Sequence, residues 1–215
     1  MAFFNWAAPL MHRYLDGRWG ADHIATLAAA ISPYVSSPHE SPGGHLLDLG
    51  GGTGGLARRL ADALDIHVTI VDPTPEMIAR VPEHPGVTAR LGSAEDIPVP
   101  DGHFDAALVS DALHHFQDPG AAIDEIRRAV RPGGGVIVLE LDLRGWRRLL
   151  ACAERIVGEP ANFFTPEGLR SLMAERGVRG STRGLGRWEY LFQGEVEAEA
   201  AAPPLSSGRP PSRYR

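Results

Sequence analysis

The chain has 215 residues, of which 43% are hydrophobic and 22% charged, and its formal net charge at pH 7 is −6. That composition allows one sizeable core, while the acidic balance and the lack of a basic stripe argue against a nucleic-acid-binding surface. The single cysteine excludes a disulfide framework and a multi-cysteine metal site. No apolar run has membrane-spanning length and the first residues do not resemble a signal peptide, so the sequence predicts a cytoplasmic protein.

Two amphipathic helices are predicted within residues 1–35, and we assign them to an N-terminal cap. Apolar and aromatic residues recur at helical spacing from Phe3 to Tyr14. In the second helix Ile24, Leu27 and Ile31 share one face, and the pattern ends before Pro33. Either both helices cover an edge of a sheet, or the first, which is rich in aromatic residues, is a lid over a ligand.

Strand-like and helical runs alternate through most of the remaining chain, which predicts a doubly wound α/β sheet of parallel strands. The strands are expected at about 45–49, 66–71, 87–91, 104–109 and 136–141, and a further helix at about 143–157. Two final runs, 178–184 and 187–194, are too close for a crossover helix and should pair antiparallel. The domain therefore spans residues 36–194, and the Glu/Ala and Pro/Ser/Arg composition of 195–215 predicts a disordered tail.

A glycine-rich turn follows the first strand and satisfies two ligand-binding patterns. Glycine permits positive φ angles and has no Cβ, so the backbone can approach a ligand closely. The dinucleotide pattern Gly-x-Gly-x-x-Gly and the adenosylmethionine pattern Asp/Glu-x-Gly-x-Gly-x-Gly both fit the run from Asp48 to Gly55. This stretch alone does not choose between the two cofactors.

Carboxylates at the strand ends favour adenosylmethionine. Asp72, which ends the second strand, suits the ribose hydroxyls that either cofactor offers. Asp48 discriminates, because a carboxylate repels a pyrophosphate but pairs with an ammonium group. The Tyr-x-x-x-Lys spacing of a hydride relay does not occur in the chain.

Five motifs in the expected order resemble those of class I S-adenosylmethionine-dependent methyltransferases, and they lie at Leu47–Gly55, Val71–Ile78, Gly92–Asp105, Ala112–Phe116 and Arg131–Gly135. The similar group is the one that contains the ubiquinone/menaquinone-biosynthesis methyltransferases (methyltransferase type 11). The resemblance implies a mainly parallel, seven-stranded, Rossmann-like sheet with an antiparallel C-terminal hairpin strand. It also implies methyl transfer from S-adenosyl-L-methionine to a small-molecule acceptor. A binding protein that kept the fold without catalysis is the alternative, and a small NAD(P)-binding oxidoreductase is the weaker one.

The resemblance also implies which residues bind the cofactor. Asp48 and the loop residues Gly50, Gly51, Gly52 and Gly54 would surround the methionine part, and Asp72 would hold the ribose hydroxyls. The adenine would be flanked or met at its edge by Pro73, Thr74, Met77, Ser93, Ala94 and Glu95, with Ser110 at the end of the fourth strand. The family commonly has Asp at the position of Ser93, and a hydroxyl accepts less strongly than a carboxylate. Either Glu95 or Asp96 substitutes, or cofactor affinity is lower.

Methyl transfer to an oxygen or an acidic carbon needs a base, and histidine suits that task near neutral pH. His114 and His115 follow the fourth strand, and Asp111 competes as base or as orienting partner; a surface imidazole and a loop cap are the alternatives. No histidine has a metal-ligand spacing, so no metal is expected. An apolar acceptor pocket is predicted from five aromatic residues, with ordinary packing as the alternative: Phe3, Trp6, Tyr14, Trp146 and Phe164. The sequence leaves a homodimer open.

Overall fold

The computed structural model describes residues 20–35, 43–142 and 162–198. Its helices are α1 (Ala21–Val35), α2 (Gly55–Leu64), α3 (Pro75–Ile78), α4 (Pro119–Ala129) and α5 (Pro166–Glu175), and one 3-10 turn spans Leu113–His115. Its strands are β1 (His45–Leu49), β2 (His67–Asp72), β3 (Val87–Leu91), β4 (Phe104–Ser110), β5 (Val130–Leu141), β6 (Val178–Leu185) and β7 (Glu189–Val196).

All seven strands form one sheet in the order β3-β2-β1-β4-β5-β7-β6. The first five strands pair in parallel, whereas β7 runs antiparallel to both β5 and β6. The predicted fold class and the C-terminal hairpin are therefore confirmed. The strand order reverses between β1 and β4, so the carboxyl ends of these strands border the crevice in which such sheets bind ligands.

Each face of the sheet is covered by helices and has its own buried cluster. Ile123 and Ile126 of α4 and Met173 of α5 pack on one face. Leu27 and Ile31 of α1 pack with α2 on the other. Thus α1 covers a face of the sheet rather than an edge. Three predicted segments lie wholly or mostly outside the described residues: the helix from Phe3 to Tyr14, the helix at 143–157 and the tail. The boundary at residue 35 between the N-terminal cap and the domain stays a prediction.

Three boundaries differ from the sequence prediction. Strand β7 continues to Val196, so the sheet includes the first two residues of the predicted tail. Helix α1 continues past Pro33, because its last turn packs against the sheet: Val35 is buried, and the Tyr34 ring occupies the space above Gly135 where a side chain would lie. Strand β5 begins at Val130 rather than near residue 136. Helix α4 ends at Ala129, before the Arg131-Pro-Gly-Gly-Gly stretch. Val130 already pairs with Phe104, and a register shift follows before Gly135 pairs with Ala106.

Two helices begin at residues whose side chains cap the first turn. Asp118 accepts a hydrogen bond from the Ala121 N–H at 3.0 Å, and Thr165 accepts one from the Gly168 N–H at 3.0 Å. Thr74 precedes α3, but its side chain makes no capping hydrogen bond to that single turn. None of the helices in the described ranges combines the length and the apolar composition that a membrane crossing requires.

Candidate functional site

The glycine turn lies at the carboxyl end of β1 and is closed by backbone hydrogen bonds. The Gly50 N–H donates to the Val71 carbonyl at 2.8 Å, which ties the turn to β2. Gly50, Gly52 and Gly54 have φ angles of 76°, 55° and 76°, a conformation that other residues adopt only with strain. The turn therefore needs glycine at these positions, as the sequence pattern predicts.

The space around the turn differs from one glycine to the next. A Cβ on Gly51 would lie 2.5 Å from Asp48 Oδ2, and a Cβ on Gly50 would lie 2.7 Å from the Ala112 Cβ. A Cβ on Gly52 would meet nothing within 4 Å. The turn thus packs closely on the ends of β1 and β4 and presents Gly52 to open space, the side from which a ligand can approach.

Asp72 holds the turn in shape from the end of β2. Its Oδ2 accepts from the Gly52 N–H at 3.0 Å, and its Oδ1 accepts from the Thr74 N–H at 2.9 Å. Burial raises the pKa of this carboxyl, and the two backbone hydrogen bonds oppose that rise. Each carboxylate oxygen has a second lone pair, which can accept a hydrogen bond from a ribose hydroxyl while the bonds to Gly52 and Thr74 remain.

Asp48 is a buried carboxyl directly beneath the turn. It is 1% exposed, and its Oδ2 has no hydrogen-bond partner among the described residues. Burial, and next to it the nearby charge of Asp72, raise the pKa of Asp48 to about 7. A buried oxygen without a donor fits a cationic ligand group, because a positive charge would favour the ionised form. The residues present therefore fit the ammonium end of S-adenosylmethionine.

The residues predicted around the adenine lie at the ends of β2 and β3. Thr74, Met77 and Ala94 are buried, Pro73 is exposed and Ser93 is half-buried. Glu95 turns toward the next loop, where its Oε1 accepts from the Gln117 and Asp118 N–H groups at 3.0 and 3.2 Å. The second glutamate oxygen is not used by those two bonds. The cofactor contacts of this set stay predictions, as does the contact of Ser110, whose buried hydroxyl lacks a hydrogen-bond partner within the described ranges.

His114 forms a buried pair with Glu140 across the ends of β4 and β5. The imidazole Nδ1 lies 2.8 Å from Glu140 Oε2 and 3.1 Å from Oε1, and each residue is 3% exposed. The backbone N–H of His114 also donates to Oε1 at 3.3 Å. An ionised carboxylate only accepts, so Nδ1 carries the hydrogen and Nε2 carries the lone pair. Glu140 thereby fixes both the tautomer and the orientation of the ring.

Asp111 lies beside this pair in a strained backbone conformation, with φ at +54°. Asp111, His114 and Glu140 each offer one atom that could bind a metal ion, and these three atoms lie within 4.8 Å of one another. Within the described ranges, this is the one group of three such residues. Two of the three side chains, those of His114 and Glu140, are already hydrogen-bonded to each other. The structure thus brings Asp111 and His114 together, as predicted, and adds Glu140.

Aromatic rings enclose His114. Phe163 stacks on the imidazole with ring centroids 4.3 Å apart and planes at 18°. The His115 ring also contacts the His114 ring, with centroids 4.0 Å apart and planes tilted by 47°. Phe164, predicted to contact substrate, is half-buried, and its carbonyl accepts from the Tyr190 hydroxyl at 3.1 Å. The other predicted substrate residues lie outside the described residues: Phe3, Trp6, Tyr14 and Trp146.

Sequence reasoning missed Glu140 and Tyr190. Glu140 had a local signal, because it is the one charged residue in the apolar run from Val136 to Leu141. A buried charge in such a strand needs a partner. Tyr190 had no comparable signal, since its contact with Phe164 depends on how the hairpin packs against the segment before α5.

Comparisons with known proteins agree with this geometry. Residues 47–138 match the family described as "Methyltransferase domain". An uncharacterized methyltransferase of Mycobacterium tuberculosis is 37% identical over 159 residues, which cover 61% of this chain and 63% of that protein. The ubiquinone/menaquinone biosynthesis C-methyltransferase UbiE of Rubrivivax gelatinosus is 38% identical over 115 residues, which cover 53% of this chain and 45% of that protein. The chain thus spans less than two thirds of the length of these curated relatives.

A solved structure shows the same fold. The S-adenosylmethionine-dependent methyltransferase of Thermotoga maritima, described as a possible histamine N-methyltransferase, superposes with a TM-score of 0.68 at 24% identity. The match covers 90% of this chain and 98% of that one. The glycine turn, the strand order and the comparisons agree: residues 47–138 are similar to the methyltransferase domain family, and the chain has the fold of class I S-adenosylmethionine-dependent methyltransferases.

Proposed function

We propose that this protein transfers a methyl group from S-adenosyl-L-methionine to an oxygen, nitrogen or activated carbon of a small molecule, with His114 as general base. The observation that carries the proposal is the buried His114–Glu140 pair beside the glycine turn. Ala112, two residues before His114, lies against Gly50, so the donor-binding turn and the histidine loop are in direct contact. A base placed there is next to the expected donor site.

The donor would be held by the turn and the two carboxylates. Asp48 would pair with its ammonium group, Asp72 would accept from its ribose hydroxyls, and the backbone at Gly52 would allow close approach. When bound, S-adenosylmethionine supplies an activated methyl group on a positively charged sulfur. The protein's contribution is then to bind, align and exclude water, which are the effects that a displacement reaction needs most.

His114 would take the proton of the acceptor. Its Nε2 carries the lone pair, because Nδ1 donates to Glu140. The Glu140 carboxylate would stabilise the imidazolium that forms, and its burial strengthens that interaction. Proton abstraction by a positioned side chain contributes about 100- to 10,000-fold to the rate. Asp111 is then a second polar group beside the base.

Calorimetry with S-adenosylhomocysteine and a methyl-transfer assay test the proposal. The acceptor panel contains soluble quinols, phenols and amines; the quinols enter because a relative bears the name of a ubiquinone/menaquinone biosynthesis C-methyltransferase. We expect His114→Gln to lower turnover by about 100-fold or more while the affinity for S-adenosylhomocysteine stays unchanged. His103→Gln, at the opposite end of β4, is the matched control.

Each alternative gives a different result. Binding without transfer to any acceptor indicates the non-catalytic binding protein, and binding of a nicotinamide cofactor instead indicates the oxidoreductase. Full turnover by His114→Gln contradicts the base. A divalent cation held by Asp111, His114 and Glu140 is the competing use of the same side chains. Turnover lost in a chelator and restored by manganese would establish that use, whereas we expect the chelator to have no effect.

The wider predictions from the sequence stay part of this proposal. They comprise a small-molecule acceptor, a cytoplasmic location, no nucleic-acid partner and an open question of homodimer formation. The net charge of −6 supports the lack of a nucleic-acid partner, because few cations are available to neutralise phosphates.

A further inference from the structure

The residues from Asn162 to Thr165, here called the 162–165 segment, cross the loop that carries His114. Asn162 makes two hydrogen bonds to that loop. Its backbone N–H donates to the His114 carbonyl at 2.9 Å, and its side-chain Nδ2 donates to the Phe116 carbonyl at 2.8 Å. One residue therefore holds two carbonyls of the loop, at His114 itself and two residues later.

The same segment covers the His114 imidazole and is hydrogen-bonded to strand β7. Phe163 stacks on His114, and the Phe164 carbonyl accepts from the Tyr190 hydroxyl at 3.1 Å. Tyr190 is buried on β7 and pairs in register with Glu140 of β5. The 162–165 segment thus connects the base, its stacking ring and the strand beside its carboxylate partner.

The hydrogen bonds within the loop leave these two carbonyls to Asn162. Its 3-10 turn spans three residues, and a single turn of this kind has poor hydrogen-bond geometry. Within the turn, the His115 N–H donates to Ala112 and the Phe116 N–H donates to Leu113. Neither bond uses the carbonyls of His114 and Phe116, which are the two that Asn162 holds. Glu140 holds the loop through the N–H and Nδ1 of His114, and Asn162 holds it through the carbonyls of His114 and Phe116, so both residues set the position of the ring.

We infer that Asn162 is a positioning residue for His114, a role that rests on the proposed function. Its amide side chain is required because the Phe116 carbonyl needs a donor, and an isosteric carboxylate would offer an acceptor instead. Displacing a catalytic group by about 1 Å lowers rates by about 100-fold. Asn162 acts on turnover through the ring of His114 and does not touch the cofactor-binding turn.

The first test observes the ring without any acceptor. Histidine side chains are followed by nitrogen and proton NMR in protein saturated with S-adenosylhomocysteine, and His114→Gln assigns the His114 signals. The wild type should show one tautomer, protonated at Nδ1, with ring protons shifted by the stacked Phe163. Asn162→Asp should lose the ring-proton shift, because the loop moves relative to Phe163, while the Glu140 hydrogen bond keeps Nδ1 protonated. Thr165→Val, which removes the α5 cap from the same segment, should keep both signatures. Unchanged His114 signals in Asn162→Asp overturn the inference.

The second test is a double-mutant cycle on turnover, with the acceptor from the panel that the wild type methylates fastest. Asn162→Asp should lower kcat by about tenfold to 100-fold with little change in KM. In the His114→Gln background the same substitution should have no further effect. Additive losses in the double mutant refute a role through His114. If Asn162→Asp does not fold, Asn162→Ala removes the donor without adding a charge.

The two tests separate this inference from the proposed function. A wild-type protein that methylates no acceptor counts against the function, and the NMR comparison still decides whether Asn162 orients His114. A wild type that turns over normally with an unaffected Asn162→Asp variant refutes the inference alone.

Discussion

The two halves of the site are held together in different ways. The donor half consists of the glycine turn with Asp48 and Asp72, and its contacts are made mainly by backbone groups of neighbouring strands β1 and β2. The proposed acceptor half consists of His114, Glu140, Asn162 and Phe163. These residues come from three separate stretches of the chain and meet mainly through side chains.

This difference predicts how each half responds to substitution. The donor half depends on a backbone turn, so a change there should alter affinity for the cofactor and the stability of the turn. The acceptor half depends on the orientation of one imidazole, so a change there should alter turnover and leave cofactor affinity intact. Four substitutions test this division, in order of decreasing expected effect.

The largest effect is expected for Glu140→Gln. The amide retains the shape of the side chain but loses the charge that stabilises a protonated His114. We expect kcat to fall by about 100-fold, within the range for acid–base catalysis, with S-adenosylhomocysteine affinity unchanged in calorimetry. Glu125→Gln is the matched control, because that carboxylate pairs with Arg128 on α4. A weakened cofactor affinity in Glu140→Gln would break the division between the halves.

A smaller effect, on affinity, is expected for Asp72→Asn. The amide nitrogen would face one of the two N–H groups that the carboxylate now accepts from, at Gly52 or Thr74. Hydrogen bonds to charged groups contribute about 1.5–3 kcal/mol, so the dissociation constant of S-adenosylhomocysteine should rise by about ten- to 100-fold. Asp105→Asn, which also removes a carboxylate that accepts from a backbone N–H, should leave the affinity unchanged. An unaltered affinity in Asp72→Asn would contradict the role of this carboxylate.

The third prediction concerns the pH dependence of stability and Asp48. Burial raises the pKa of Asp48 to about 7 in the folded protein. A raised carboxyl pKa stabilises the fold at low pH, and that contribution is lost as the pH rises from the unfolded value of about 4 through the folded value. Asp48→Asn should therefore flatten the fall in Tm between about pH 5 and about pH 8 in ligand-free protein. Exposed Asp62→Asn is the control; superimposable wild-type and Asp48→Asn profiles would show that Asp48 is not the titrating group.

The smallest effect is expected for Ser93→Asp. The substitution introduces the carboxylate that the family commonly has at this position, and a charged acceptor binds an amino group more strongly than a hydroxyl does. The affinity for S-adenosylhomocysteine should rise by about threefold to tenfold, which calorimetry can resolve. Equal affinity for the two proteins would mean that Glu95 or Asp96 already supplies the missing acceptor.

The donor half was predictable from the sequence because its signals are local. The run from Asp48 to Gly54 encodes the turn, and Asp72 follows at the end of the next strand, so pattern and position suffice. The acceptor half was predictable only as far as His114 and Asp111, which share the β4 loop. Glu140, Asn162 and Phe163 reach the histidine through the packing of β5 and the segment before α5, and no spacing along the chain encodes those contacts.

Local features of the helices were also predictable only where they depend on neighbouring residues in the sequence. The caps at Asp118 and Thr165 were predictable, since each is a short-range interaction of a side chain with the helix that it begins. The continuation of α1 through Pro33 was not, because the buried contacts of Tyr34 and Val35 with the sheet outweigh the hydrogen bond that proline cannot make.

The antiparallel pairing of β5 with β7 has a consequence for how the protein folds during synthesis. Residues 45–91 leave the ribosome early and contain the whole donor half. Glu140 pairs in register with Tyr190, so its native surroundings are complete only after the C-terminal hairpin has been translated. Until then the edge of β5 that carries Glu140 is unpaired. An exposed strand edge favours association with other chains. The proposed donor half therefore precedes the proposed acceptor half in time as well as in sequence.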